Sequence, residues 1–120
     1  MKSVTEHIGK RESLKIQVRE SILEEALKLF SIQGLEKTTV SDIVEQSGIA
    51  RGTFYNYFPD VSSLFDAIIS QMNENIQIEI KANRAKSTSV YDYLYSTFKS
   101  YFDFIGSSQM INFHVINQAH

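Results

Sequence analysis

A chain of 120 residues, 42% hydrophobic and 22% charged, has room for one ordinary domain, or for one small and one partial domain, and is not composed like a disordered chain. It contains no cysteine, which excludes a disulfide scaffold, a thiolate zinc site and a cysteine nucleophile. The net charge of -2 does not advertise nucleic-acid binding. The N-terminus lacks the apolar core of a signal peptide, and no run approaches the roughly 18–20 apolar residues of a membrane span, so a soluble cytoplasmic protein is expected.

In chain order, Lys2, Lys10, Arg11, Lys15 and Arg19 outnumber Glu6 and Glu12, which suggests a basic leading edge. An ordinary solvated face explains these cations as readily as phosphate contact. Residues 1–12 are read as an N-terminal arm. Leu14, Val18, Ile22, Ala26 and Phe30, widened by Leu23, Leu27 and Leu29, then have the spacing of a core-facing amphipathic helix. Gly34 is a natural stop, with Ile32 and Leu35 placed to fold back onto the helix end.

A short second helix is expected after Thr39, which can cap it, with Asp42 three residues on as in a capping box. Val40, Ile43 and Val44 face inward and Gly48 ends it. A third short helix runs from about Arg51 to Tyr57, with Phe54 and Phe58 on its buried side and Pro59 as its stop. From Val61 the pattern Leu64, Phe65, Ile68, Ile69, Met72, Ile76, Ile80 is helical. The alternation Ile76, Ile78, Ile80 alone would suggest a strand, but the helical spacing begins well before it. Asn83–Ser89 reads as a polar connection. Thr88 or Ser89 can cap a helix carrying Leu94, Phe98, Tyr101 and Ile105 on one face. Gly106-Ser107-Ser108 breaks it, and Met110, Ile111, Phe113, Val115 and Ile116 begin a last helix running to the chain end.

Three helices in about forty residues, the last two joined by the tight turn Gln46-Ser47-Gly48-Ile49-Ala50, describe a helix-turn-helix. Gly48 supplies the left-handed backbone of the turn, and Ile49 can plug the space between the two short helices. The third helix is then free to enter a DNA major groove. Arg51 can donate bidentately to guanine or pair with phosphate. Gly52 permits close approach to a phosphate, and Thr53 offers a hydroxyl and a methyl. Tyr55, Asn56 and Tyr57 add two hydroxyls and an amide.

The stretch Thr39-Val40-Ser41-Asp42-Ile43, followed by Ser47-Gly48-Ile49-Ala50-Arg51-Gly52-Thr53-Phe54-Tyr55-Asn56-Tyr57-Phe58, resembles the tetracycline-repressor (TetR) family. Ile22-Leu23, Ala26, Leu29-Phe30, Gly34 and Leu64 fit the same pattern, and the resemblance covers roughly residues 17–70. It implies an all-α protein: a homeodomain-like three-helix bundle with the helix-turn-helix over 13–60, then, over 61–120, a connecting helix and the first helices of a ligand-binding and dimerisation domain. It also implies a homodimer on a palindromic double-stranded operator, acting as a repressor that a small-molecule inducer releases. DNA contacts map by the resemblance onto Thr39, Ser41, Arg51, Gly52, Thr53, Tyr55 and Tyr57, and core positions onto Phe54 and Phe58. There are three departures. Ala50 replaces the usual capping Ser or Thr. Val61 stands where a lysine commonly touches phosphate, with Asp60 beside it adding repulsion. The chain is short, so the helices of the usual dimer interface are expected to be missing: either the chain is truncated or it dimerises unusually.

Tyr91, Tyr95, Phe98, Tyr101 and Phe102, in a run with Tyr93 and Phe104, are candidates for a ligand cage, although aromatic residues at helical spacing are more often core. His114, Asn117 and Gln118 form a polar face that could touch ligand, and Phe113 and Ile116 are candidates for an interface. His7, His114 and His120 make no metal pattern. No paired carboxylates, nucleophile–histidine pair or phosphate-binding glycine loop has usable spacing, so neither an enzyme nor a cofactor is expected. The competing reading is a helical module that keeps the DNA-binding head but acts through a partner protein.

Overall fold

The computed structural model describes residues 2–118, with side chains described from Gly9 onward, Ser108 excepted. It is all-α: α1 (Lys2–Gln33), α2 (Val40–Ser47), α3 (Arg51–Tyr57), α4 (Val61–Lys86), α5 (Val90–Ile105) and α6 (Ser108–Ile116). His120 lies outside the described residues, as does the side chain of His7.

The helix boundaries follow from local chemistry. Thr39 accepts a hydrogen bond from the Asp42 N–H while the Asp42 carboxylate accepts from the Thr39 N–H, a complete capping box that starts α2. Gly48 ends α2 in the left-handed region at φ 67°. Asp60, Ser89 and Ser107 cap α4, α5 and α6 through their side chains. Ala50 makes no side-chain cap, in keeping with the departure noted above. Asp60 thus has a structural duty, to accept the Ser63 N–H at 2.7 Å, that its charge alone did not suggest.

Several expectations are corrected. Residues 2–12 are not a separate arm but are helical and continuous with the rest of α1. Gly9 alone, with no proline or cap beside it, does not break a helix. Leu14 is 61% exposed, so the apolar stripe of α1 meets the core only from Val18 onward. Ile32 is 75% exposed and does not fold back, whereas Leu35 packs against the core. Helix α4 continues to Lys86, through the expected polar connection. There Asn83 Nδ2 donates to the Ser96 carbonyl at 3.3 Å and to Ser100 Oγ at 3.1 Å, tying α4 to α5. Helix α6 stops at Ile116 rather than running to the chain end.

One core joins the head to the helices that follow it. Ile22, Ala26 and Phe30 from α1, Ile43 from α2, Phe54 from α3 and Leu64 from α4 are all fully buried. Phe65 bridges outward, edge-on to Phe30 at 5.3 Å and stacked on Phe113 of α6 at 5.5 Å. Phe113 is therefore core, not interface, at 1% exposure. The molecule measures 51 × 48 × 19 Å. Helix α5 packs against α4 and, more lightly, against α6. None of its residues is fully buried.

Candidate nucleic-acid interface

The reading head is built on two short helices that could not stand alone. Helix α3 has only seven residues, far below the roughly 12–15 at which an isolated helix becomes marginal in water. It is held by Phe54 and by Phe58, which is 5% exposed and capped by the Arg19 guanidinium 5.3 Å above its ring. The left-handed Gly48 lets the Ile49 N–H return to the Val44 carbonyl at 3.2 Å, and Ile49 packs against the core as the plug between α2 and α3.

On this scaffold the candidate contact residues occupy distinct situations. Arg51 donates a hydrogen bond to Ser41 Oγ, so the starts of α2 and α3 meet. Thr39 Oγ1 accepts the Asp42 N–H, and its hydroxyl also bonds to the Asp42 carboxylate, so the capping box holds this side chain in place at the start of α2. Thr39, Ser41, Arg51, Gly52, Tyr55 and Asn56 are exposed. A methyl group on Gly52 would meet nothing within 4 Å, so the backbone there is open to close approach. Tyr55 is 49% exposed and stands edge-on to Phe54 at 5.4 Å, which fixes its direction. Thr53 is half-buried, and Tyr57 is half-buried with its ring against the core. Arg51 has no carboxylate partner among the described residues, so its charge is uncompensated locally.

The two capping carboxylates carry a pH signature. The Thr39 backbone N–H, followed by the Thr39 hydroxyl, holds Asp42 below its ordinary value of 3.8. The Ser63 N–H does the same for Asp60. A carboxyl with a depressed folded-state pKa adds stability above its unfolded value, and that contribution is lost as pH falls through the folded value. The contribution of these two caps is expected to persist down to about pH 4 and to fade below it. Urea midpoints measured from pH 6 to pH 3 test this: the acid step is expected to shrink in Asp42→Asn, whose amide still caps but no longer titrates in this range.

The residues proposed for ligand do not form a cage. Tyr91, Leu94, Tyr95, Phe98 and Phe102 line an open groove of about 500 Å³ on the outer face of α5, with Lys99 at its edge. Tyr91 stacks on Tyr95 and Phe98 on Phe102, each at 6.4 Å. Tyr101 faces instead a small cleft between α4 and α5, shared with Phe104 and with Thr97, whose buried hydroxyl has no hydrogen-bond partner. A second cleft of about 350 Å³ lies between α1, α4 and the turn into α6, floored by Leu23, Leu27, Ile68 and Met72 and rimmed by Glu20 and Glu24. Its residues carried only a core signal in the sequence, because the cleft exists only once three helices meet. Asn117, expected on a polar face with His114 and Gln118, is 5% exposed. Its amide is bound to α1, while His114 and Gln118 stay exposed. Among the described residues no group of His, Asp or Glu could hold a metal ion, and no helix is long and apolar enough to cross a membrane.

The bacterial regulatory proteins of the tetR family match residues 22–68, which span the last part of α1, α2, α3 and the start of α4. Over residues 22–68, the segment that carries the helix-turn-helix, the chain is similar to the TetR family. Similar proteins include the uncharacterised HTH-type transcriptional regulator YvdT of Bacillus subtilis, 40% identical over 52% of this chain and 32% of that protein. The HTH-type regulator AcrR of Shigella flexneri is 40% identical over 50% of this chain and 28% of that protein. The nucleoid occlusion factor SlmA of Haemophilus ducreyi is 28% identical over 72% of this chain and 44% of that protein. The chain thus spans less than half the length of these relatives. Among solved structures, the fatty acid degradation regulator FadR of Bacillus halodurans superposes with a TM-score of 0.75, at 18% identity, over 82% of this chain and 51% of that one. A putative tetR family regulator from Shewanella superposes with a TM-score of 0.65, at 21% identity, over 81% of this chain and 52% of that one. At these identities the two structures establish a common fold alone, over about four fifths of this chain.

Proposed function

We propose that this chain is a sequence-specific transcriptional regulator that reads double-stranded operator DNA with α3, binds a palindromic or near-palindromic site as a homodimer, and acts as a repressor released by a small-molecule ligand. The observation that carries the reading is the joined start of α2 and α3. There Arg51, which has no carboxylate partner among the described residues, bonds to Ser41, beside the exposed Thr39 and the open backbone of Gly52. A cationic fork, hydroxyls and an unobstructed backbone match a phosphate backbone and a guanine edge. Tyr55 and Asn56 extend the same helix toward base edges, and Thr53 and Tyr57, half-buried, complete the contact set at its flanks. The ligand part of the proposal draws support from the cleft that Tyr101 shares with the unpartnered Thr97 hydroxyl, a donor suited to a polar atom of an otherwise apolar ligand.

Selection of binding sites from a genomic library, followed by fluorescence anisotropy on the selected operator, tests the reading. Arg51→Ala is expected to weaken specific binding roughly 10- to 100-fold, the scale of one arginine–base contact, and to leave the thermal midpoint unchanged. Specific binding undiminished in both Arg51→Ala and Tyr55→Ala would overturn the assignment of the reading head. A second reading, in which the head is kept and a partner protein is engaged, draws support from the uncovered aromatic face of α5. Sedimentation of the chain separates the two: a stable homodimer speaks for the first.

A further inference from the structure

We propose that Asn117 is a positioning residue for DNA reading: its side-chain amide clamps the C-terminal end of α1 to α6 and so sets the angle of the helix-turn-helix head on the helices behind it. The proposal rests on the reading of the head as a DNA reader, but the clamp itself is geometric. Asn117 Nδ2 donates to the Phe30 carbonyl at 2.9 Å and to the Phe113 carbonyl at 2.8 Å. Its Oδ1 accepts the Leu35 N–H at 2.9 Å. One amide thereby satisfies a carbonyl at the end of α1, a carbonyl of α6 and the first N–H beyond Gly34, the two carbonyl bonds buried and the third partly so. The backbone is shaped to receive it. Gly34 is left-handed at φ +83°, and a Cβ there would lie 2.9 Å from Ile116 Cγ2 and 3.6 Å from Asn117 Oδ1.

From this clamp the hydrogen bonds run on without a gap to the reading surface. Thr38 Oγ1 donates to the Gly34 carbonyl at 2.7 Å, and the Thr38 N–H donates to the Leu35 carbonyl at 3.2 Å. Gln33 Nε2 reaches Thr38 Oγ1 at 3.3 Å and Asp42 Oδ2 at 3.2 Å. Asp42 closes the capping box with Thr39 at the start of α2, where Ser41 meets Arg51. A change at Asn117 therefore acts on the segment from which α2 starts, whereas apolar contacts such as Phe65 on Phe113 are non-directional and constrain distance more than angle. The quantity that the clamp sets is an orientation, which is measured separately from stability.

The absence of cysteine makes site-directed labelling clean. Spin labels at Glu45→Cys on α2 and Lys99→Cys on α5 report the head-to-body distance of the full chain by double electron–electron resonance. The parent is expected to give one narrow distribution. Asn117→Asp keeps the size and the bond from Leu35 but sets a carboxylate against two carbonyls, and it is expected to broaden or shift that distribution. Val44→Ala, which loosens the head away from the joint, is expected to leave it narrow. A folded Asn117→Asp chain with the parent's distribution would overturn the proposal. If that variant does not fold, the unmodified chain decides: the Leu35 amide is expected to exchange with solvent deuterium in step with the amides of α6, and exchange at the rate of a free amide overturns the clamp.

A DNA arm separates the proposal from the functional reading beneath it. On operators whose half-sites are moved apart by one base pair, the parent is expected to lose affinity and Asn117→Asp to discriminate about tenfold less between the spacings. Equal discrimination by parent and variant also overturns the positioning role. If the parent shows no sequence-specific binding, the functional reading fails, and the distance and exchange measurements still decide whether Asn117 holds the joint.

Discussion

Phe54→Ala is expected to abolish the ordered DNA-reading helix. Phe54 is fully buried, and truncating such a ring costs about 3–5 kcal/mol through lost transfer energy and the cavity left behind. Two local facts push the effect toward the upper end. Helix α3 has seven residues and no side-chain cap, so its helicity depends on being pinned from below. The ring also touches Tyr55 at 5.4 Å and Phe58 at 6.1 Å, so its loss frees a proposed DNA-contact residue and a core residue together. Against a typical domain stability of about 5–15 kcal/mol, this is most or all of the margin of a small head. Urea unfolding followed by circular dichroism checks it. The neighbouring Tyr55→Ala supplies the contrast, because Tyr55 is 49% exposed: it is expected to cost less than about 1 kcal/mol of stability while weakening operator binding. A Phe54→Ala chain as stable as Tyr55→Ala would show that α3 is not held by this ring.

The second large effect is expected at Gly34, and its size relative to Gly48 is the informative part. Both glycines are left-handed, at φ 83° and 67°. Any L-residue placed there meets a backbone penalty of about 1–2 kcal/mol. At Gly48 a new Cβ would enter open space, so Gly48→Ala should cost that penalty and little more. At Gly34 the Cβ would sit 2.9 Å from Ile116 Cγ2, an atom on the branch of a side chain stiff at χ1, so relief needs a costly rotamer change of Ile116 or a shift of α6. Gly34→Ala is therefore expected to cost at least about 1 kcal/mol more than Gly48→Ala, on the scale of overpacking a buried contact. A double-mutant cycle isolates the clash. Ile116→Ala removes Cγ2, so it should recover the excess in Gly34→Ala and recover nothing in Gly48→Ala. Equal costs at the two glycines, or no recovery, would mean that α6 yields freely at this joint.

The head was legible because its instructions are local. The Thr39–Asp42 box, the Gly48 turn, the Phe54–Phe58 pair and Pro59 all act within a few residues of the structure they specify. The predicted third helix accordingly has the bounds observed, Arg51–Tyr57. Ile49 as the plug and Ala50 as an uncapped start were legible for the same reason. Outside the head, periodicity revealed helices but not what covers them. Leu14 and the Tyr91–Phe102 ladder have the spacing of buried stripes and lie exposed, since spacing names a face and not its partner. The candidate DNA-contact residues were readable as residue types on a helix start. That Arg51 would turn to Ser41 was not, because that bond crosses from α2 to α3.

Sequence by itself thus determined the helix-turn-helix, its caps, its turn and the chemistry offered at the start of α3. The tertiary structure alone decided how that head is mounted. Asn117, read as part of a polar surface, is a buried clamp whose partners lie 82 and 87 residues away in the chain. The physical reason is one of range. Caps and turns are hydrogen bonds closed within about one helical turn, which a residue pattern can encode directly. A side-chain amide bridging two segments more than 80 residues apart has a meaning only after the core has brought those segments together.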